Sequence, residues 1–108
     1  MGYTTRFRLH IDSADTKILK EVVSYIKTQT SYYLEFDPGD MTAYLTAHWY
    51  DWEIDMKNVS THFKDVLLVL NGVGEDSDDV WRAYFKDSKM QFCKARLVFD
   101  DYDKELLE

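Results

Sequence analysis

The chain has 108 residues, 20 acidic side chains against 13 Lys and Arg, and a formal net charge of −7. That length suits one domain, residues 1–108, around a single core, and the apolar and aromatic content is that of a folded globular protein rather than a disordered one. The acidic balance argues against generic binding to duplex DNA or an anionic membrane, no apolar run reaches the length of a membrane span, and a single cysteine, Cys93, excludes an internal disulfide.

Tyr3, Thr5, Phe7, Leu9 and Ile11 alternate with Thr4, Arg6, Arg8 and His10, which predicts a first strand with one apolar and one basic face. Asp12 or Ser13 is the expected cap of a helix that carries Asp15 in its first turn and buries Ile18, Leu19, Val22, Val23 and Ile26. The helix is expected to fade at Thr28 to Thr30. Residues 32–36 read as a second strand, and Asp37-Pro38-Gly39-Asp40 as a turn in which Gly39 supplies a positive φ. A third strand runs from Met41 to Tyr50, with Ala43, Leu45 and Ala47 opposite Thr42, Tyr44, Thr46 and His48. Asp51 then caps a second helix whose apolar stripe is Trp52, Met56, Val59 and Phe63, with Asp55 on the solvent side.

From Asp65 the chain is dense in Val and Leu, a buried fourth strand closed by Asn71-Gly72-Val73-Gly74. After Glu75-Asp76-Ser77-Asp78-Asp79, residues 80–86 alternate: Trp81, Ala83 and Phe85 on one face, Arg82, Tyr84 and Lys86 on the other. A three-residue turn, Asp87-Ser88-Lys89, leads to a last strand expected through Phe99, with Cys93 in the core. The tail 100–108 is acidic, and Leu106 and Leu107 either dock or fray with it. The order is that of an α+β, ferredoxin-like βαββαβ fold: an antiparallel sheet, two helices on one face and an added C-terminal β-hairpin.

Two stretches carry a resemblance. Leu45-Thr46-Ala47-His48-Trp49, followed by a helix and Phe63-Lys64-Asp65-Val66, resembles the ferredoxin-like domain of YubB-type proteins of plasmids and phages. Asn71 through Gln91 is similar to small phage and bacterial proteins with a "GEGEE..D.W..YF.NGK.Q" pattern, from which Val73 and Ser88 depart. The resemblance implies a mobile-element origin and the same fold. It brings no functional residues.

No HExxH, CxxC, P-loop, GxSxG or Rossmann glycine pattern is present, so no enzyme, cofactor or metal site is expected. His10, His48 and His62 lie on different elements, with His10 and His48 able to approach on neighbouring strands. Glu75, Asp76, Asp78 and Asp79 form an acidic loop, a candidate contact for a basic protein surface. The second constellation is cationic. Arg6, Arg8 and His10 on the first strand, Arg82, Tyr84 and Lys86 on the fifth, and Lys94 and Arg96 on the last meet on the open side of the sheet if the alternation holds. Such a face suits a nucleotide or oligonucleotide. The expectation is therefore a cytoplasmic, non-enzymatic accessory protein of a phage or mobile element that binds, and inhibits, a host protein such as a defence component; the alternative is a nucleotide or oligonucleotide binder using the basic face.

Overall fold

A computed structural model describes residues 2–37 and 39–108. Its elements are β1 (Thr5–Ile11), α1 (Thr16–Thr30), β2 (Glu35–Asp37), β3 (Thr42–Ala47), α2 (Trp52–His62), β4 (Leu68–Val73), β5 (Val80–Lys86) and β6 (Lys89–Lys94), with a short 3-10 turn at Lys104–Leu106. The six strands form one open sheet in the order β2-β3-β1-β4-β5-β6, and every neighbouring pair is antiparallel. The architecture is α+β.

β1 fixes the two faces. Phe7, Leu9 and Ile11 are buried, whereas Arg6 and Arg8 are exposed. Register carries this choice across the sheet, because directly paired residues lie on the same side. Phe7 pairs with Leu45 and Gly72, and Gly72 with Trp81; Leu9 pairs with Ala43 and Leu70, and Leu70 with Ala83. On that face these residues share one core with Leu19, Val22, Val23 and Ile26 of α1 and Met56 and Val59 of α2. Both helices thus cover the same side of the sheet.

Local chemistry moves several expected boundaries. The cap of α1 is Asp15, whose carboxylate accepts from the Lys17 amide at 2.9 Å, rather than Asp12 or Ser13. Ser13 instead accepts from the Asp15 amide, and Asp12 accepts from the Leu67 amide at 3.1 Å, tying the end of β1 to the start of β4. Asp51 occupies the cap position of α2 but makes no side-chain cap bond. Asp55, expected in solvent, accepts from the Trp49 indole N–H at 2.7 Å and so satisfies a ring that is otherwise buried. Pro38 of the 37–40 turn lies outside the described residues, and with it the backbone angle expected of Gly39; Met41, just after the turn, has a positive φ of 58°.

β5 and β6 are joined by two residues, not three. Lys86 pairs with Lys89, and Asp87 and Ser88 both have positive φ, 51° and 69°, the conformation that matches strand twist in a two-residue turn. Neither residue is glycine, and α2 holds the turn in place: the Ser88 amide donates to Ser60 Oγ at 2.9 Å, and the Ser88 and Thr61 hydroxyls are in contact. The last strand stops at Lys94 instead of running to Phe99. The Ala95 amide still reaches Val80 O at 2.9 Å, but β5 begins there, so residues 96–99 have no strand beside them.

Gly72 has no room for a side chain. A methyl group there would lie 2.1 Å from atoms of the Trp81 ring, which is buried and stacked on Trp52 at 4.2 Å between centroids. Gly72→Ala should therefore lower stability by about 3 kcal/mol or more, the upper end of overpacking penalties, read as a shift of the urea midpoint. Phe85 is fully buried, whereas Phe63, expected in the α2 stripe, sits half-buried at the helix end. Phe85→Ala should destabilise by about 3–5 kcal/mol. Phe63→Ala should fall clearly below it in the same measurement.

Candidate anion-binding face of the sheet

The side of the sheet away from the helices follows from the same register. Arg8 pairs with Tyr44 on one side and Asn71 on the other, and Asn71 pairs with Arg82. Arg6 lines up with Thr46, Val73 and, through Val73, Val80. His10 pairs with Val69, and Val69 with Tyr84. Arg6, Arg8, His10, Arg82, Tyr84 and Lys86 therefore share one face, and Lys89, opposite Lys86, joins them.

Lys94 does not belong to this group. It pairs with Trp81, which points to the helices, so Lys94 lies on the helix-bearing side. Arg96 lies beyond the end of β6. Cys93 takes the position expected for Lys94: it pairs with Arg82 on the open face and is half-buried rather than in the core. Both differences come from the turn. Three turn residues would have set Lys94 opposite Arg82; two shift the pairing by one residue, and a one-residue shift exchanges the faces of a whole strand.

None of these cations has a carboxylate within ion-pair distance among the described residues, although Glu35 and Asp37, paired with Tyr44 and Thr42, lie on the same side at the β2 margin. The single ion pair among the described residues is Glu53–Lys57 on α2, at 3.8 Å. Arg82 Nε donates to Asn71 Oδ1 at 2.7 Å, which orients the guanidinium while leaving its charge unneutralised. Between Arg6, Arg8, Tyr44, Asn71 and Val80 runs an open groove of about 430 Å³, continued by a second of about 270 Å³ beside Arg82, Tyr84 and Cys93. Tyr44 offers its ring, 37 % exposed, while its hydroxyl donates to Asp40 at 2.5 Å. Bonds from Thr42 and then Tyr44 hold the Asp40 carboxyl below its ordinary value.

His10 registers the field of this face. Its pKa is lowered, first by partial burial and then by the positive charges of Arg8 and Arg82. The other histidines lie elsewhere. His48 follows Ala47, the residue opposite Thr5, so it sits at the far end of β1 from His10, bonded to Thr4 Oγ1 at 2.8 Å. His62 stacks on Tyr25 at 4.1 Å. No group of three or more His, Cys, Asp or Glu among the described residues could hold a metal ion, and no described helix is long and apolar enough to cross a membrane.

The acidic loop is separate and fixed. The Asp76 amide donates to the Tyr3 hydroxyl at 3.0 Å, that hydroxyl donates to Asp79 at 2.7 Å, and Glu75 accepts from the Thr4 amide. The Asp76 amide bond by itself would lower the Tyr3 pKa; donation to Asp79, burial and the two carboxylate charges together raise it. Glu75, Asp76 and Asp78 remain exposed.

Comparison of the chain with family models, curated proteins and solved structures finds no match.

The lowered His10 pKa has a consequence for stability. The unfolded imidazole keeps the ordinary value of 6.5, so on acidification through that value the unfolded chain takes up more protons than the folded one. This contribution to stability is fully present from about pH 7.5 upward and is lost as the pH falls through 6.5 toward about 5.5. Urea titrations at both pH values should show the loss, and His10→Gln should remove its part of it.

Proposed function

We propose that the protein is a non-enzymatic binding module. Its first six elements form a ferredoxin-like βαββαβ framework, extended at β4 by the β5–β6 hairpin, and its open sheet face takes an anionic ligand of the nucleotide or single-stranded oligonucleotide class. One observation carries this reading: in a chain of net charge −7, Arg6, Arg8, Arg82 and Lys86 gather on one face with no carboxylate paired to them. Guanidinium groups match phosphate geometry. The rings of Tyr44 and Tyr84 on the same face offer stacking surfaces for bases, each such contact worth about 1–3 kcal/mol in single-strand binders.

A second reading, a module that binds and inhibits a host protein such as a defence component, draws on the acidic loop. Glu75, Asp76 and Asp78 are exposed on a loop pinned to Tyr3 and Thr4, a rigid negative surface for a basic partner. The resemblance to YubB-type proteins supports placing either function on a phage or other mobile element.

Fluorescence titration with a labelled oligonucleotide and with mononucleotides tests the first reading. The wild-type chain should bind with an affinity that falls steeply with salt, and Arg8→Ala with Arg82→Ala should abolish binding. The double variant should keep its stability to within about 0.5 kcal/mol per substitution, as exposed positions do. Bound phosphate beside Arg8 and Arg82 should also raise the His10 pKa, visible as a shifted imidazole titration by NMR. Binding that is unchanged in the double variant would remove the face from consideration.

A further inference from the structure

Residues 96–108 leave the body of the protein. Beyond Ala95 no described hydrogen bond joins them to the rest of the chain, and none of them enters the core. Yet they carry large apolar side chains: Leu97 is 83 % exposed and Phe99 85 %, and Val98, Tyr102, Leu106 and Leu107 are exposed as well. The Cα radius of gyration is 16.4 Å, against about 13 Å for a compact domain of this length. A contiguous apolar segment held in water marks an interaction site.

The charge of the arm says where it goes. Asp100, Asp101, Asp103, Glu105 and Glu108 lie among its apolar residues, with Lys104 as the one cation after Arg96. The acidic loop at 75–79 repels it. The β1–β4–β5 part of the open sheet face complements it, with unpaired Arg6, Arg8, Arg82 and Lys86 over an apolar floor that includes Val73 and Val80, away from Glu35 and Asp37 at the β2 margin.

We propose that the arm of one copy docks on the cationic sheet face of a second copy, in a reciprocal exchange that makes a two-fold dimer, and that it thereby competes with the anionic ligand of that face. The ligand half of this statement rests on the reading given above; the dimer half does not. Reciprocity supplies the size that the assembly needs. Each aromatic side chain of the arm can bury about 150–250 Å², and with the four aliphatic ones an arm approaches the ~800 Å² per partner of a standard interface. A two-fold axis makes the contact twice and closes the assembly.

Light scattering and sedimentation of the full chain over a range of concentrations and salt test the dimer. Mass should rise from 12.8 kDa toward twice that value with concentration and fall back with added salt. Leu97→Ser with Phe99→Ser, and separately Arg8→Glu with Arg82→Glu, should each leave a monomer with an unchanged circular dichroism spectrum. Combining Arg8→Glu and Arg82→Glu with Asp100→Arg and Asp101→Arg should restore the dimer. A monomer at every concentration overturns the proposal. So does a dimer that survives the arginine reversal, because the arm then sits elsewhere, and so does an arm that binds only a different protein and never a second copy. Oligonucleotide affinity separates the two halves. If nine in ten faces are covered by arms, the Leu97→Ser, Phe99→Ser monomer should bind about tenfold more tightly than wild type. A dimer lost in both variants, with no oligonucleotide bound by the arm variant, sustains the arm exchange and ends the nucleic-acid reading; the reverse pattern ends the exchange alone.

Discussion

The burial of Phe7, Leu9 and Ile11 is the constraint from which the rest of the structure follows. β1 is paired on both sides, with β3 and with β4, so its register is passed directly to two strands and through them to the others. Large apolar side chains at alternate positions can satisfy themselves only against the helices. Arg6, Arg8 and His10 then have no choice of side. The cationic face is thus not an independent feature laid over the fold. It is the other half of the alternation that builds the core, and a slip of β1 that moved the arginines would also expose the hydrophobic layer.

Charge in this protein is partly segregated. Eleven of the 20 carboxylates lie on the loop at 75–79, the edge strand β2 and the C-terminal arm, while three of the four arginines gather on the open face, with Glu35 and Asp37 at its β2 margin. A net negative molecule with a cationic patch attracts an anion at the patch and repels it over the rest of its surface. Such a field orients an approaching anion before contact and disfavours approach from every other direction, so the overall balance of −7 and a local affinity for phosphate or carboxylate are compatible.

Much of this was legible in the sequence, and the failures have a common origin. The faces of β1 and β5 could be read because alternation is a local property of Phe7-Arg8-Leu9 and Trp81-Arg82-Ala83. The stripe of α1 was legible for the same reason. Tyr44 and Asn71 were not recognisable as neighbours of Arg8, since that depends on which strands lie beside β1. Lys94 and Cys93 exchange faces relative to the sequence pattern because the connection between β5 and β6 has two residues and not three; Asp87 and Ser88 both adopt positive φ without being glycine, and the support that permits this, Ser60 and Thr61, is remote in sequence. The end of β6 was overrun because Leu97-Val98-Phe99 has the composition of a strand, and composition cannot report that the neighbouring strand has already ended.

The attachment of the 87–88 turn to α2 makes two distant parts of the chain open together. Ser60 is fully buried and holds the Ser88 amide, so that amide meets solvent only when the last turn of α2 lifts or the β5–β6 ribbon swings away from it. The helix and the outer ribbon then behave as one cooperative unit of local unfolding rather than two. β2, three residues long and paired on one side alone, is held differently, by Phe36, which packs on the core with Lys20 of α1 5.6 Å from its ring centroid. The two margins of the sheet are thus coupled to different helices, β2 to α1 and the β5–β6 ribbon, from which the arm departs, to α2.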